Sequence, residues 1–476
     1  MLNVNSEIGT LKRLLIHSPD SGLGKVVPSK AQDWLFEDIV HLDTMRKDEY
    51  DFYIKILLYF LDPQKIKGKL GAIDSDATRS FFKPDSATYF NSDKVVELQK
   101  LLAEILENEE IKTKIVAAAC AIEKEWFTTQ AELCALNPIE LAKTLISGST
   151  PTGEMLFPPI PNFIFTRDIG ITINNYLLLN RPKKQARSRE ALLAQYIFYC
   201  HPIFAKNREN IIEIPDNETI FLLPEEEAEE NLCTLEGGDV MMVAKNHLLI
   251  GISERTSIYA AKQVIKILFE KKVVEKITLI KIPRKRDYMH IDTIFTQVKR
   301  NIWVLLASLG KNNNNLEDEA LIKAGLLTDR PFEKIQIVQF RKGTEQEPRK
   351  IQNLEDLLTE ISVYDLDCKP LDVKFIYSGN NEFPYGAREQ WTDSCNLLAL
   401  KEGVVIGYDR NDKTIEAFKK EGFEAITAAE LCEQLENGSK NIETISDTFI
   451  MLPSAELSRA RGGSHCMSMP LIRESF

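Results

Sequence analysis

The residue types best suited to chemistry lie just before four predicted β-hairpins. The segments are Thr166-Arg167-Asp168, Glu236-Gly237-Gly238-Asp239, His290-Ile291-Asp292 and Trp391-Thr392-Asp393. Each segment alone is typical of a turn or a strand start, but all four hold the same place relative to a hairpin. Equivalent ends of repeated units converge when the units close into a ring. We therefore expect one central pocket surrounded by Asp168, Glu236, Asp239, His290, Asp292 and, as a further candidate, Asp393.

Several carboxylates and one imidazole facing one cavity allow two kinds of ligand. They could bind a divalent metal ion. They could also hold a planar cation, because carboxylates pair with a guanidinium group through parallel hydrogen bonds. The set contains one histidine and no second ligand four residues away, which makes a zinc site the weaker option.

A candidate nucleophile lies in the segment Arg461-Gly462-Gly463-Ser464-His465-Cys466, which follows an apolar predicted strand. The two glycines allow close approach of the backbone, and the neighbouring Arg461 and His465 would favour a thiolate. Most free cysteines are small buried hydrophobic residues, and the other seven of the eight cysteines fit that interpretation. A cysteine, a histidine and carboxylates are the parts needed for covalent attack on an electrophilic carbon in a cationic group.

The elements that would position these residues repeat one unit, strand–strand–helix–strand, about five times. The predicted hairpins cover 169–181, 240–252, 293–307 and 396–408, and predicted strands follow at 211–214, 277–282, 335–340 and near Ala425. Residues 11–16 and 50–61 could supply part of a fifth unit. Such repetition predicts an α/β ring or solenoid, and a closed ring would remove exposed sheet edges.

Residues 91–147 differ from the rest, because their apolar residues recur at three- and four-residue intervals. That periodicity predicts about four helices. The stretch has no set of polar residues that could form a catalytic or binding site. The simplest interpretation is an all-helical insertion domain at 76–148, with 1–75 and 149–476 forming the α/β domain. In the long polar stretch between the third and fourth hairpins, Asn312–Asn315 and the charged Arg341–Lys350 are interpreted as solvated loops.

The composition is that of an ordinary globular protein and excludes few functions. The 476 residues carry a formal charge of −12 at pH 7, which argues against nucleic-acid binding because there is no basic footprint for phosphate backbones. The cysteines are scattered without a C-x-x-C pair, as in proteins of reducing compartments. No secretory signal and no run of ~18 apolar residues is visible. We expect a soluble, cytoplasmic protein without a membrane partner.

Six motifs, together with the opening of the chain, carry a resemblance to a known family. The opening is Ser6-Glu7-Ile8-Gly9-Thr10-Leu11-Lys12, and the motifs are Pro161-Asn162-Phe163-Ile164-Phe165-Thr166-Arg167-Asp168, Glu236-Gly237-Gly238-Asp239, Ile252-Ser253-Glu254-Arg255-Thr256, Met289-His290-Ile291-Asp292-Thr293-Ile294-Phe295, Arg388-Glu389-Gln390-Trp391 and Arg461-Gly462-Gly463-Ser464-His465-Cys466-Met467-Ser468-Met469-Pro470. In this order they span nearly the whole chain. The sequence resembles the arginine deiminase family of guanidino-group-modifying enzymes.

The resemblance implies a five-bladed α/β propeller with a helical domain inserted after the first blade. It implies hydrolysis of L-arginine to L-citrulline and ammonia through a covalent cysteine thiouronium, without a metal or an organic cofactor. In this interpretation Cys466 is the nucleophile and His290 is a proton shuttle oriented by Glu236. The remaining implied roles are guanidinium binding by Asp168 and Asp292, and contact with the α-carboxylate end of the substrate, or its gating, by Asn162, Arg187, Arg255 and Arg461.

Other functions stay open at this point. Amidinotransferases and hydrolases of agmatine or methylated arginines share the implied fold, and a non-catalytic arginine-binding protein is a further alternative. Arg255 and the candidate Arg187 favour a substrate with a carboxylate, which agmatine lacks. An intact pair of Cys466 and His290 speaks against a protein that only binds. The stretch 311–390 is longer than the family leads us to expect. The extra residues could form an enlarged loop region, or they could alter the contacts of the homo-oligomer that we expect.

Overall fold

The computed structural model describes residues 2–31, 33–284, 287–309 and 335–475. The fold is mixed α/β, so the predicted class is confirmed. Its strands are β1 (Leu11–Ile16), β2 (Val95–Glu97), β3 (Gly170–Ile173), β4 (Tyr176–Leu179), β5 (Ile211–Ile212), β6 (Val240–Ala244), β7 (His247–Ile252), β8 (Lys276–Lys281), β9 (Phe295–Lys299), β10 (Ile302–Leu305), β11 (Gln336–Arg341), β12 (Arg349–Ile351), β13 (Lys374–Tyr377), β14 (Leu398–Lys401), β15 (Val404–Tyr408), β16 (Glu424–Thr427), β17 (Thr448–Leu452) and β18 (Met469–Arg473).

The α-helices of the described residues are distributed between these strands. They are Leu42–Thr44, Asp51–Leu61, Leu70–Ser75, Leu98–Ile105, Glu109–Glu123, Phe127–Ala135, Pro138–Ser147, Ser188–Cys200, Glu225–Glu230, Ile258–Glu270, Leu354–Glu360, Tyr385–Trp391, Asp412–Lys420 and Ala428–Glu436. Over the ranges the structure describes, no helix combines the length and the apolar composition needed to cross a membrane.

Within the described ranges the strands form five separate sheets, and all five contain the same three-stranded pattern. An antiparallel pair is followed by a strand parallel to the middle one, as in β3-β4-β5, β6-β7-β8, β9-β10-β13 and β14-β15-β17. The parallel strand needs a crossover connection, which helices such as Ile258–Glu270 provide. Each sheet therefore contains the same unit, with its three strands in the same relative directions.

The fifth sheet joins the two ends of the chain. Strand β1 pairs antiparallel with β18 and parallel with β2. Arg473 on β18 reinforces this junction, because its Nη1 donates to the backbone oxygen of Gly9 at 2.7 Å. The nucleophile candidate Cys466 lies just before β18, so this sheet fixes its position.

Two expectations about strand partners were wrong. The predicted strand at 335–340 corresponds to β11, which does not complete the third sheet but pairs antiparallel with β8 in the second, while β13 takes its place beside β10. In the fourth sheet β17 lies between β15 and the predicted strand near Ala425, β16. An alternating pattern identifies a strand but not its partner, which packing across the chain decides. The described part of 311–390 also contains two helices and three strands. Of the two predicted loops, 341–350 is largely the mostly exposed turn that joins β11 to β12, and 312–315 lies outside the described residues.

The helices predicted for 91–147 are present between Leu98 and Ser147 and pack on the rest of the protein. Asn108 begins the second of them by accepting hydrogen bonds from the backbone N–H groups of Glu110 and Ile111. The apolar faces of these helices share one core cluster with helix Ser188–Cys200 and with strand β4. Strand β2, at the start of this stretch, belongs to the sheet of β1. The division at 76 and 148 stays a prediction.

Candidate active site

Three short 3-10 turns bring the sequence motifs together at the starts of the hairpins. They are Thr166–Ile169 before β3, Gly237–Asp239 before β6 and Ile291–Thr293 before β9. The glycines allow this close approach, because a Cβ on Gly237 would overlap the backbone oxygen of Arg167 and one on Gly238 would overlap the ring of His290. The Glu-Gly-Gly-Asp segment is therefore a turn that packs directly against His290 and the backbone of Arg167.

A buried imidazole and two carboxylates form the first half of the site. His290 Nε2 lies 3.0 Å from Oε2 of Glu236, and its Nδ1 lies 3.9 Å from Oδ1 of Asp168. Asp168 is fixed by the backbone N–H of Gly238, which donates to its Oδ1 at 3.1 Å. Burial opposes the charged imidazole, but Asp168, Glu236 and Asp239 outweigh it and raise the pKa of His290 to about 10. Free His290 is therefore an imidazolium at neutral pH, able to donate a proton.

Cys466 forms the second half, in a turn held by Asn396. The Asn396 side chain accepts from the backbone N–H of Cys466 at 3.0 Å and donates to the backbone oxygen of Asp292 at 3.2 Å. The Cys466 thiol lies 3.6 Å from Oδ2 of Asp292. Burial raises the pKa of the Cys466 thiol well above its ordinary value, and the charges of Asp292, Asp168 and Asp393 raise it further. Contrary to the expectation that Arg461 and His465 would favour a thiolate, the free site favours a protonated thiol.

The carboxylate beside the thiol is held by a buried network. Oδ2 of Asp292 lies 2.9 Å from Nδ1 of His465, whose Nε2 lies 3.1 Å from Oε2 of Glu7. Arg167 also bonds to Glu7, at 2.9 Å, and to His465. Burial opposes ionisation, yet the hydrogen bond from His465 keeps the pKa of Asp292 below its ordinary value. Asp292 therefore stays charged, and one of its oxygens, Oδ1, has no hydrogen-bond partner among the described residues.

Two arginines on the histidine side of the site have unused donors. Arg187 donates from Nη1 to Asp168 at 3.0 Å and to Glu236 at 3.1 Å, and from Nε to Glu190 at 2.8 Å. Its buried Nη2 has no partner in the described part of the chain. Arg255 Nη1 lies 3.8 Å from Glu236, and its Nε and Nη1 make no hydrogen bond to a described residue.

Arg461 and Asn162 lie toward the entrance. Arg461 has a positive φ of 59°, and its guanidinium stacks 3.6 Å from the ring centre of Trp391. Its Nε and Nη1 are buried without a described partner. Asn162 donates from Nδ2 to the backbone oxygen of Trp34 at 2.8 Å. Asn162 thereby ties the segment after β1 to the site.

These groups enclose a narrow cavity of about 20 Å³, room for about one water molecule. Leu35 and Glu37, from the segment after β1, form part of its wall. At this volume the cavity is too small for an amino acid.

The one set of potential metal ligands found among the described residues is Asp168, Glu236 and His290, whose ligand atoms lie within 4.8 Å of one another. Arg187 places its positive charge between the two carboxylates, and His290 is itself cationic. A metal ion would have to displace this arginine, so the donor set fits an organic cation paired with carboxylates better than a metal.

The structure brings the sequence-predicted residues to one place. The cavity is lined by Asn162, Asp168, Arg187, Arg255, His290, Asp393, Arg461 and Cys466, and Glu236 and Asp292 contact its lining residues. Asp239 does not line it, because its carboxylate accepts from Ser253 Oγ at 2.6 Å and from the backbone of Ile291 at 3.1 Å. Sequence reasoning missed Asn396, Glu7 and Leu35, the last of which lines the cavity. Only Glu7 could have been found from the sequence, because it lies in the opening segment that resembles the family.

Comparisons with known proteins agree with this geometry. The family model "Arginine deiminase" matches residues 130–473. Arginine deiminases from Borrelia duttonii and Staphylococcus aureus (strain JH9) are each 29% identical to the chain, over 100% of it and 98% and 99% of their own lengths, and one from Borreliella afzelii (strain PKo) is 30% identical over 100% and 98%. The solved structure of an amidinotransferase from Microseira wollei is similar in fold, with a TM-score of 0.50 at 12% identity over 100% of this chain and 98% of that one. The chain belongs to the arginine deiminase family.

Proposed function

We propose that this protein hydrolyses L-arginine to L-citrulline and ammonia, with Cys466 as a covalent nucleophile. The observation that carries the proposal is the convergence of a thiol, an imidazole paired with Glu236, and two further carboxylates around one buried cavity. Family membership supports the same reaction.

Asp168 and Asp292 bind the guanidinium group of the substrate in this proposal. They lie on opposite halves of the site, and Oδ1 of Asp292 still has an unused acceptor site. Because Asp292 also lies 3.6 Å from the Cys466 sulfur, a guanidinium held by this carboxylate places its central carbon beside the nucleophile. This is the proximity contribution to catalysis.

The substrate's α-carboxylate binds to the arginines. Arg187 engages Asp168 and Glu236 through Nη1 but keeps Nη2 unused, and Arg255 and Arg461 also have unpaired donors. Three such guanidinium groups favour an amino acid over agmatine, which has no carboxylate. Asn162 would contact the same end of the substrate.

The reaction follows from the charge states. The positive charge of the substrate offsets the carboxylates that raise the pKa of Cys466, so binding lowers the pKa of the thiol. The thiol proton passes to solvent, and the thiolate attacks the guanidinium carbon. His290, charged in the free enzyme, donates a proton from Nδ1 to the departing nitrogen, and ammonia leaves the covalent thiouronium. Neutral His290 then takes a proton from water as the hydroxide adds to the same carbon. The C–S bond breaks as the carbonyl of citrulline forms, the hydroxyl proton passes through solvent to the ammonia, and the Cys466 thiolate regains its proton from solvent. Acid–base assistance of this kind contributes ~10²–10⁴-fold in rate.

We also propose that the five sheets are the blades of a five-bladed α/β propeller, with residues 76–148 inserted after its first blade. Two observations support this arrangement: the same three-stranded pattern recurs in each sheet, and the turns before β3, β6 and β9 meet at one cavity. The fifth blade would be formed from both ends of the chain.

The test is Cys466→Ala, with ammonia and ureido product followed on arginine, agmatine, and arginine with glycine. We expect citrulline from arginine alone in the wild type and none in the variant. Cys432→Ala is the matched control, since Cys432 is a buried cysteine outside the cavity. Citrulline formation by Cys466→Ala would refute the nucleophile. Conversion of arginine and glycine to ornithine and guanidinoacetate, without ammonia or a ureido product, would indicate transfer chemistry instead.

A further inference from the structure

We propose that a second cavity, separate from the active site, binds a phosphate-type oxyanion. The cavity measures about 280 Å³ and lies between the segment after β1, the helical turn before Asp51–Leu61 and the helices that follow β2. Its cationic wall is formed by Arg46, Arg79, Lys83 and Lys143.

Three of these cations have donors without partners among the described residues. Arg46 uses Nε to donate to the backbone oxygen of Pro19 at 2.9 Å, and its two terminal nitrogens make no hydrogen bond there. Arg79 bonds to Asp51 through Nε, at 2.8 Å, and through Nη2, which leaves Nη1 unused although the residue is only 8% exposed. Lys83 has no carboxylate partner in the described ranges.

The carboxylates of the same wall are already engaged. Glu97 and Asp20 lie on either side of His17, at 2.8 Å and 3.2 Å from its ring nitrogens. Burial opposes the charged ring, but these two carboxylates raise the pKa of His17 to about 9, so at neutral pH they share the one positive charge of its imidazolium. Asp85 is paired with Lys143. The unused donors of Arg46, Arg79 and Lys83 therefore lack an acceptor among the residues that the structure describes.

The electrostatics favour a doubly charged anion over a single carboxylate. Burial lowers the pKa of the Arg46 guanidinium, and the charge of Arg79 lowers it further. An anion between the two guanidinium groups offsets that repulsion through charge-assisted hydrogen bonds. Donors that approach from two separate segments, Arg46 from one and Arg79 and Lys83 from the other, suit an ion with several oxygens at tetrahedral angles, such as phosphate or a phosphate ester.

The experiment is calorimetric titration of the whole protein with inorganic phosphate, sulfate and acetate at constant ionic strength. We expect phosphate and sulfate to bind and acetate to bind much more weakly. Arg46→Gln is expected to weaken phosphate binding about tenfold or more, because it removes a charge-assisted contact. Lys83→Gln, an exposed change with no ion pair to break, should weaken it less.

Arg349→Gln serves as the control, since it removes the same charge from an exposed pair with Glu360 outside the cavity. If phosphate binds instead to the arginines of the active site, its affinity will be the same in Arg46→Gln as in the wild type. Unchanged affinity in both cavity variants, or no phosphate binding by the wild type, overturns the proposal. Binding is read without turnover, so the result is independent of the catalytic assignment.

Discussion

Neutralising Asp292 should convert the resting thiol of Cys466 toward a thiolate. The carboxylate oxygen lies 3.6 Å from the sulfur, and both groups are buried. At an effective dielectric constant of about 20, two unit charges at that distance repel by about 4.6 kcal/mol. This corresponds to about three pKa units. Asp292→Asn keeps the size of the side chain and an oxygen that can accept from His465, but removes the charge.

The assay is the ultraviolet absorbance of the thiolate, recorded against pH in the free enzyme. Each spectrum is corrected with a protein that also carries Cys466→Ser, so that other thiols and phenols cancel. We expect the Cys466 pKa to fall by about two to three units in Asp292→Asn. Turnover should fall at the same time, because the carboxylate proposed to hold the guanidinium is lost. A more ionised thiol would thus accompany a poorer enzyme.

Asp447→Asn is the control, because it removes an exposed carboxylate that pairs with Lys299 away from the cavity. Its thiol titration should match the wild type. If Asp292→Asn leaves the pKa of Cys466 unchanged or raises it, burial alone sets the resting state. The argument that a bound cation activates the thiol would then be wrong.

Three further changes test the site and its surroundings. Gly238→Ala should lower kcat ~10²-fold or more, because the new methyl group displaces His290, while Gly71→Ala, which meets open space, should keep full activity in the same citrulline assay. Asn396→Ala should lower kcat about tenfold with little change in KM, because the backbone N–H of the nucleophile loses its acceptor. His17→Gln should flatten the pH dependence of the free energy of unfolding. The pKa of His17 is about 9 in the folded protein and 6.5 in the unfolded chain. The charged ring therefore stabilises the wild type by an amount on the order of 3 kcal/mol below pH ~6.5, and this contribution is lost as the pH rises through about 9. The measurement is chemical denaturation at a series of pH values. An equal dependence of the free energy of unfolding on pH in both proteins would contradict that reasoning.

The hairpins could be predicted because their signals are local. Asn174-Asn175 and Lys245-Asn246 supply turn residues between apolar runs, and the structure places β3-β4 and β6-β7 there. Partners across the chain could not be predicted in this way. The strand pattern of β11 is equally compatible with two sheets, and the choice of β8 depends on packing that no short window contains.

The same distinction applies to the candidate site. Asp168, Glu236 and His290 share a position relative to a repeated element, so their convergence could be argued from sequence. Asn396 is a lone polar residue before a strand, and its role depends on a contact with a residue 70 positions away. Its sequence surroundings carry no sign of that contact.

The sheet built from both ends of the chain has a consequence for biosynthesis. Arg473 meets Gly9 across 464 residues, so on the ribosome β1 waits without its antiparallel partner while almost every other element is made. The proposed nucleophile, Cys466, emerges only just ahead of that partner. A nascent chain thus lacks the proposed nucleophile until Cys466 has been added, and the open edge of β1 is the point at which chaperones or misassociation compete with folding.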